Sequence, residues 1–431
     1  MQFARFFRDR KGGVAPLLAL GLVPLVGAVG AAVDYSRASN VRAAMQAAAD
    51  ATALMLAKTA SGLTAAQMQQ NATSYFTANF NHPEAQGLQV QASYTSGQTG
   101  FSVQVDGTAK VSTAFMGLMG LSQISLSTTG TASWNNSKLR VALVLDNTGS
   151  MSQSGKIGAL QTASHNLLTQ LQTAAKTNGD VYVSIIPFVK DINAGASNYN
   201  ATWIDWTDWD AANGTCSNTT YTSKSSCTSH GKTWTPKNHN TWNGCITDRD
   251  QNYDTTNTSP TAGALFPAEQ YSYCPQQVMG LTYDWTALNS KIDAMSPNGN
   301  TNQAIGLVWG WQSLTNAPFT VPAKDPNYQY QDIIILLTDG LNTQDRWYTT
   351  QSSIDARQQI ACNNINAAGI TLYTVQVNTG GDPTSTLLQN CAGSPGKYPD
   401  PSKFFLLTSS NEIITTFNTI GTSLQKLYLA K

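Results

Sequence analysis

Oxygen-bearing side chains stand at alternate positions just after an apolar run near residue 146. The segment from Val144 to Ser150 reads Val-Leu-Asp-Asn-Thr-Gly-Ser. Gly149 lets the backbone turn tightly, so the side chains of Asp146, Thr148 and Ser150 can converge on one point. One carboxylate and two hydroxyls are hard oxygen ligands, which suit Mg²⁺, Mn²⁺ or Ca²⁺ rather than zinc. The spacing therefore predicts a divalent-cation site, although Asp-x-Thr-x-Ser is also a frequent turn sequence.

Two later segments supply further oxygen donors. Asp339 follows the apolar run Ile333 to Leu337, and Thr301 precedes an apolar helix. In this order the segments resemble the metal-ion-dependent adhesion site (MIDAS) of von Willebrand factor A domains, in which an Asp-x-Ser-x-Ser motif is joined by a distal Thr and a distal Asp. The resemblance implies that Mg²⁺, or else Mn²⁺ or Ca²⁺, is bound by Asp146, Thr148, Ser150, Thr301 and Asp339. It also implies that a protein partner supplies a carboxylate to the metal. Thr148 stands where that family usually has Ser.

Strands and helices alternate from residue 138 to the end of the chain. The predicted strands are Val141 to Leu145, Val181 to Val189, Ile333 to Leu337, Ile370 to Val377 and Phe404 to Leu407. The predicted helices are Ile157 to Ala175, the apolar helix after Thr301, Gln351 to Ala368 and Asn411 to Leu429. This alternation predicts an α/β fold with a doubly wound, mostly parallel sheet. The resemblance to the MIDAS motif implies that residues 138–431 form a von Willebrand A-like domain. Its ligands should lie at the carboxyl ends of the strands.

Residues 34–137 have a different pattern, which predicts a helical stalk and a small α+β, pilin-like domain. A helix from Leu63 to Phe80 precedes four period-two strands, Leu88 to Tyr94, Gly100 to Asp106, Thr108 to Ser112 and Ile124 to Trp134. The apolar segment Phe115 to Leu121 is predicted to pack in the core rather than to form an exposed contact or a membrane-grazing loop. Asn135 to Ser137 reads as a linker.

The N-terminus is predicted to cross a membrane once. Residues 14–33 are uncharged and apolar and would form a helix about 30 Å long, the thickness of one bilayer core. Arg5, Arg8, Arg10 and Lys11 in the basic segment 1–13 keep that end in the cytoplasm. The bulk of the chain would then lie in the periplasm, or at the cell surface, of a bacterial inner-membrane protein. The alternative is a cleaved secretory signal with small residues at 30–32 as the cleavage site.

A second resemblance concerns roughly the first 60 residues. The basic segment, Gly12 to Leu20, Val33 to Arg37 and the Ala-rich helix from Met45 to Leu56 resemble TadE/TadG-like proteins of tight-adherence (Flp) pilus systems. Leu18 stands near the position where the pseudopilin members have a Glu. This departure favours an uncleaved anchor, and the resemblance implies pilus or envelope partners.

Residues 191–279 form an insertion without clear periodicity, and they hold four of the six cysteines. In an exported protein we predict disulfides between the local pairs Cys216–Cys227, Cys245–Cys274 and Cys362–Cys391. The alternative is a zinc knuckle of Cys216, Cys227, His230, His239 and Cys245. Trp203, Trp206 and Trp209 are predicted to form a small core rather than a glycan platform. Asp248 to Asp254 has carboxylates spaced as in an EF-hand but is predicted to be a solvated loop.

Composition excludes some classes of function. The chain has 25 lysine and arginine residues in total and 25 aspartate and glutamate residues in total, so no net charge attracts nucleic acid. The sequence has neither a Gly-x-x-x-x-Gly-Lys phosphate loop nor a His-Glu-x-x-His helix, and we predict that the protein is not an enzyme. The function predicted is metal-dependent adhesion or pilus assembly at the envelope. The alternatives are an envelope assembly chaperone or receptor and, more distantly, a hydrolase.

Overall fold

A computed structural model describes residues 14–97, 100–134 and 137–429. They divide into two compact units, one within residues 14–134 and the other within residues 137–429. The predicted cytoplasmic segment 1–13 lies outside the described residues, as do Asn135 and Asn136 of the predicted linker.

The first unit consists of two helices followed by a three-stranded antiparallel sheet in the order β1-β2-β3. Its elements are α1 (Val14–Ala57), α2 (Ala65–Asn79), β1 (Ala85–Gly97), β2 (Gly100–Ser112) and β3 (Gln123–Trp134). The N-terminus of α2 is fixed by a capping box, in which Thr64 and Gln67 each accept a hydrogen bond from the other's backbone N–H. The segments Gly100 to Asp106 and Thr108 to Ser112, which the pattern predicts as two strands, form the single strand β2. Gly107 between them pairs with both β1 and β3, so the strand is not interrupted there.

One face of this sheet packs against the C-terminal half of α1 and against α2. The buried side chains include Val41, Met45 and Leu56 of α1, Phe76 of α2 and Val103 of β2. Gly130 of β3 allows a close approach, because a Cβ atom there would overlap the backbone of Ala49. The N-terminal half of α1 is different: its apolar side chains from Leu18 to Val29 are mostly exposed. This helix is long and apolar enough to cross a membrane and fits a single-pass anchor.

The second unit is a mixed α/β structure built on a sheet in the order β10-β6-β5-β4-β13-β14-β15, with β12 also paired to β5. Its strands are β4 (Ser137–Asp146), β5 (Val181–Phe188), β6 (Ile192–Asn193), β7 (Ile204–Asp205), β8 (Gly214–Cys216), β9 (Trp234–Pro236), β10 (Cys245–Ile246), β11 (Phe266–Pro267), β12 (Met279–Thr282), β13 (Gln329–Thr338), β14 (Thr371–Val377) and β15 (Phe404–Leu407). Its helices are α3 (Lys156–Ala174), α4 (Thr207–Ala212), α5 (Lys224–Ser229), α6 (Trp285–Asp293), α7 (Gln303–Thr315), α8 (Gln351–Ala367), α9 (Thr386–Cys391) and α10 (Asn411–Leu429). Strands β5, β4, β13, β14 and β15 run parallel, whereas β6 and β12 pair antiparallel to β5.

Helices cover both faces of the parallel strands. Along β4, Val141 and Leu143 contact the cluster formed with α3, α6 and α10, whereas Ala142 and Val144 contact the cluster formed with α7, α8 and α9. Strands that are buried on both faces read as continuous apolar runs, which is why they could be predicted from the sequence. The structure confirms the predicted α/β class and the predicted apolar N-terminal helix.

Residues between β6 and β12 form a small substructure whose buried aromatic side chains belong to the same apolar cluster as one face of the main sheet. Trp209, Trp242 and Phe266 are buried, and this cluster continues onto Trp309 of α7. Trp206 stacks on His239 with ring centroids 3.8 Å apart. Of the three tryptophans predicted to form a core, Trp209 is buried, whereas Trp203 and Trp206 are half-buried and pack against the same cluster, so the prediction holds in part.

The three predicted disulfides are confirmed, since Cys216–Cys227, Cys245–Cys274 and Cys362–Cys391 are all bonded. The zinc-knuckle alternative is excluded because its cysteine sulfurs are used in disulfides. His239, one of its supposed ligands, instead lies 2.8 Å from a carboxylate oxygen of Asp210.

One prediction is wrong and another holds only in part. Phe115 to Leu121 does not pack in the core: it forms the turn between β2 and β3, where Leu118 is 88% exposed. The solvated loop predicted for Asp248 to Asp254 is exposed from Asp250 to Tyr253, whereas Asp248 and Asp254 are buried. Arg357 of α8 forms an ion pair with Asp254, which offsets the desolvation of that carboxylate.

Candidate functional site: an oxygen cluster at the carboxyl ends of β4 and β13

The predicted metal ligands on β4 lie where that strand ends. Asp146 is the last residue of β4 and is completely buried. Its carboxylate accepts hydrogen bonds from the backbone N–H of Thr148 at 2.8 Å and from the hydroxyl of Thr338 at 2.7 Å. The chain then passes Thr148 and enters a short 3₁₀ turn, Gly149–Ser152. This tight turn brings the hydroxyls of Thr148 and Ser150 to 3.1 Å from each other.

Asp339 joins this group from the end of the neighbouring strand. Strands β4 and β13 pair in parallel up to Leu145 and Leu337, so their next residues emerge at the same edge of the sheet. The Ser150 hydroxyl donates a hydrogen bond of 2.6 Å to the Asp339 carboxylate. Asp146, Thr148, Ser150 and Asp339 are thus brought together. We call these four side chains the oxygen cluster.

Thr301 reaches the same edge from the loop before α7. The N–H of Gly149 donates to the Gly299 carbonyl at 3.0 Å, which holds this loop against the turn after β4. The N–H of Thr301 donates to the Thr343 hydroxyl at 2.8 Å, and the Thr301 carbonyl accepts from the N–H of Thr343 at 2.9 Å. Thr301 itself is buried. The loop is therefore held by Gly149 on one side and by Thr343 on the other, but among the described residues no hydrogen bond joins the Thr301 side chain to the oxygen cluster.

A buried lysine, which the sequence did not reveal, neutralises part of this site. The Lys156 ammonium in the first turn of α3 contacts the second oxygen of Asp339, and both side chains are almost inaccessible. No comparable cation contacts Asp146 in the described part of the chain. Complete burial, followed by the nearby charge of Asp339, raises the pKa of Asp146 to about 6.

Amide side chains support the loops that carry Thr301 and Asp339. The Gln303 side chain donates to the Gly340 carbonyl at 3.0 Å, and the Gln303 N–H donates to Asn342 at 2.8 Å. Gln358 of α8 closes this network by accepting from Asn342 and donating to Gln303. Because these groups are buried and satisfied, they hold the two loops in one arrangement.

The insertion also contacts these loops. The Asp248 carboxylate accepts from the Asn302 side chain at 2.8 Å and from the N–H of Arg346 at 3.2 Å. The Arg346 guanidinium donates to the Asp248 carbonyl and pairs with Asp250 and Asp208, both on the insertion. Burial raises the pKa of Asp248 to about 8. Neither Asp248 nor Arg346 stood out in the sequence as belonging near the site.

The donor set fits a hard divalent cation better than a transition metal. It offers two carboxylates and hydroxyl oxygens, and in the described residues no group of three or more His, Cys, Asp and Glu side chains forms a ligand set. Asp146 is buried and unneutralised, a state that a bound cation would relieve. The chemistry and burial of this chain's own side chains are therefore compatible with Mg²⁺, Mn²⁺ or Ca²⁺.

Comparison with known proteins identifies the N-terminal segment. Residues 12–57 match the family model described as putative Flp pilus-assembly TadE/G-like, which confirms the resemblance predicted for this segment. No curated protein sequence matches the chain.

Several solved structures share low similarity with the chain. The pilus adhesin SpaC from Lactobacillus rhamnosus GG is 14% identical with a TM-score of 0.38, over 81% of this chain and 36% of SpaC. The vWF domain of the type V pili tip protein Mfa5 from Porphyromonas gingivalis is 10% identical with a TM-score of 0.38, over 68% of this chain and 97% of that domain. PTMP1 from the mussel byssus, with a zinc-occupied MIDAS motif, is 12% identical with a TM-score of 0.35, over 67% of this chain and 46% of PTMP1. This chain thus spans much less than two thirds of SpaC and of PTMP1, and these scores are too low to carry an argument about function.

Proposed function

We propose that this protein is a membrane-anchored, extracytoplasmic component of a tight-adherence (Flp) pilus system that binds a protein partner through a divalent cation. Residues 14–33 would be the membrane span, and residues 34–137 would form the stalk and pilin-like domain. Residues 138–431 would form a von Willebrand A-like, doubly wound domain, with the insertion at 191–279. The TadE/G-like match over residues 12–57 supports the assignment to a pilus system.

One observation carries the metal-binding part of this proposal. Four oxygen-bearing side chains meet at the carboxyl ends of two adjacent parallel strands: hydrogen bonds link the side chains of Thr148, Ser150 and Asp339, and the Asp146 carboxylate accepts from the backbone N–H of Thr148. The buried carboxylate of Asp146 contacts no cation among the described residues. Two carboxylates so placed repel each other and resist desolvation, which a cation would offset. A turn with a purely structural role would use the hydroxyls of Thr148 and Ser150, but it would not require a second buried carboxylate beside Asp146.

The proposed ligands are Asp146, Thr148, Ser150, Thr301 and Asp339, with Mg²⁺ as the expected ion. When bound, the ion would accept a carboxylate oxygen from the partner, so recognition would need no reaction at the ligand. The loops that carry these residues are already fixed by Gln303, Asn342 and Gln358, so little ordering is required on binding. We propose an adhesive or assembly role rather than an enzymatic one.

The metal site is tested by counting bound Mn²⁺ on the detergent-solubilised full chain, using the loss of the free-ion paramagnetic resonance signal. The wild type should bind one ion, and Asp146→Asn should weaken binding by at least about tenfold. Asp332→Asn is the matched control because Asp332 lies on β13 toward its opposite end, paired with Lys324. Equal Mn²⁺ binding by the wild type and Asp146→Asn would refute the site.

The partner is tested separately by capture from envelope extracts. Wild-type protein should retain a pilus or envelope protein in Mg²⁺ and lose it in chelator, and Asp146→Asn should not retain it. Thr148→Ser should retain it because the hydroxyl is preserved. If the partner were captured equally well in chelator and by Asp146→Asn, binding through the metal would be contradicted.

A further inference from the structure

The turn between β2 and β3 presents an apolar surface that the fold of the first unit leaves uncovered. We call residues 113–122 the apolar turn. Its side chains are exposed by 41% at Phe115, 88% at Leu118, 59% at Met119 and 56% at Leu121. The turn contains no Asp, Glu, Lys or Arg. Exposed and uncharged apolar residues in this number usually mark a contact surface.

The apolar turn lies against the part of α1 that precedes Asp34. A Cβ atom at Gly30 would overlap the ring and Cβ of Phe115, and one at Gly27 would lie 3.8 Å from the sulfur of Met119. Gly27 and Gly30 thus provide a flat strip of helix on which the turn rests. Because Gly27 is seven residues before Asp34, this contact extends about 10 Å along the helix from that aspartate.

Seven of the ten backbone N–H groups of the apolar turn donate hydrogen bonds within the protein. The Asp34 carboxylate accepts from the N–H groups of Ala114, Phe115 and Met116 at 3.0, 2.8 and 2.8 Å. Further along, the N–H groups of Leu118, Gly120 and Leu121 donate to carbonyls of the turn itself. In hydrocarbon no water is present to satisfy such groups, so internal pairing is the condition for irregular backbone at membrane depth.

The exposed face of the turn is continuous with the exposed apolar side chains of α1. Those side chains are Leu18, Leu20, Leu22, Val23, Leu25, Val26 and Val29. A groove between the two elements is lined by Val23, Val26, Gly27, Phe115, Leu118 and Met119. A hydrocarbon environment around the exposed face of α1 would therefore also surround the exposed face of the apolar turn.

We propose that the apolar turn inserts into the membrane leaflet nearest Asp34, so that the first unit is held by a helix and a loop instead of by the helix alone. The occupant of the surface is the lipid acyl chains beside α1. This inference rests on the proposed membrane anchor. Because the C-terminal half of α1 packs in the core of the first unit, the helix and the turn move as one body, and insertion at a second point would restrict tilting of that body relative to the membrane.

Depth-dependent fluorescence quenching in liposomes tests the insertion with the full chain. A fluorescent amino acid is placed at position 118, 26 or 96, one at a time. The vesicles contain phosphatidylglycerol and phosphatidylcholine, with nitroxides either on the headgroup or along the acyl chain. Position 26 reports on the helix, and position 96 lies at the other end of the sheet, where Ser96 is exposed.

Position 118 should show blue-shifted emission and be quenched by acyl-chain nitroxides to an extent comparable with position 26, whereas position 96 should not. Quenching at position 26 without quenching at 118 would overturn the insertion and leave the anchor intact; water or a partner protein would then cover the turn. Absence of quenching at both positions would overturn the anchor and the insertion together. The two failures are therefore distinguishable.

A substitution in the helix tests the geometry that sets the depth. Gly30→Leu should push Phe115 off the helix and reduce quenching at position 118 while leaving position 26 unchanged. Gly21→Leu is the matched control because a Cβ at Gly21 meets no atom within 4 Å. Unchanged quenching at position 118 in Gly30→Leu would count against the proposal.

Discussion

Lys156 gives the proposed metal site an unusual balance of charge. Its ammonium is buried against Asp339, so one carboxylate of the site is neutralised by the protein while Asp146 is not. Two carboxylates with one cation leave a net negative site, which remains favourable for a divalent ion. Lysine at the start of a helix ordinarily extends into solvent, so nothing in the sequence distinguishes this one.

Lys156→Met should lower the melting temperature of the metal-free protein and enlarge the rise that Mg²⁺ produces. Without the ammonium, both carboxylates are unneutralised, and breaking a buried pair destabilises a protein by about 3–5 kcal/mol. Differential scanning fluorimetry of the full chain in detergent, with Mg²⁺ or chelator, measures both effects. Lys138→Met, which removes the 3.7 Å pair with Asp180, should leave the Mg²⁺ response unchanged. An unchanged Mg²⁺ response in Lys156→Met would contradict the charge balance described above.

Asp248 should make the stability of the second unit depend on pH. Burial raises the pKa of this carboxyl from 3.8 to about 8, so between these values the folded chain holds a proton that the unfolded chain has lost. Stability must then fall as pH rises, by up to about 1.4 kcal/mol per pH unit from this group. Asp248→Asn mimics the protonated form, and its stability advantage over the wild type should grow between about pH 5 and pH 7.

Denaturant unfolding at several pH values measures this difference directly. Asp250→Asn is the control, because Asp250 is a largely exposed neighbour paired with Arg346 and should show no growing advantage. If the difference between Asp248→Asn and the wild type were constant with pH, Asp248 would be ionised in the folded protein.

At the scale of elements, the sequence predicted what depends on local pattern. Strands β4, β5, β13, β14 and β15 were predicted within a few residues because strands buried on both faces read as unbroken apolar runs. Helix α6 was not predicted, since it has only nine residues and only Leu288 and Ile292 of it are buried. The short strands β6, β10 and β12 have two to four residues each, too few to establish a period.

For the apolar turn, the prediction from the sequence was wrong. An apolar stretch between two strands predicted burial, because sequence pattern records hydrophobicity and not what surrounds it. The oxygen donors of the site could be predicted because their spacing follows from strand ends. Asp248, Lys156 and Arg346 could not, because their places depend on contacts between residues about 100 or more positions apart in the sequence.

The disulfides should differ in their resistance to reduction according to burial. Cys362 and Cys391 are fully buried and join α8 to α9, whereas Cys274 is half-buried and Cys216 is 9% exposed. Under mild reductant, the two disulfides of the insertion should therefore open before Cys362–Cys391. Differential alkylation followed by peptide mass spectrometry measures the order. Finding free thiols before any reductant is added, or opening of Cys362–Cys391 first, would contradict it.

At the scale of the whole molecule, the charge and hydropathy of the N-terminus predict which side of the membrane the second unit occupies. The basic residues at 5–11 favour a cytoplasmic N-terminus, which would place everything after Asp34 outside the cytoplasm. Three disulfides fit that placement, since an oxidising compartment is where they persist.

A site-specific protease sequence inserted at Gly381 tests this topology. Gly381 lies in an exposed loop outside any helix or strand, so the insertion should be tolerated. Protease added outside spheroplasts should cut the chain there, and the N-terminal fragment should remain in the membrane fraction. Cutting only after lysis would show that the second unit is cytoplasmic. Release of the uncut chain as a soluble protein would instead show that residues 14–33 are a cleaved signal, and would remove the anchor on which insertion of the apolar turn depends.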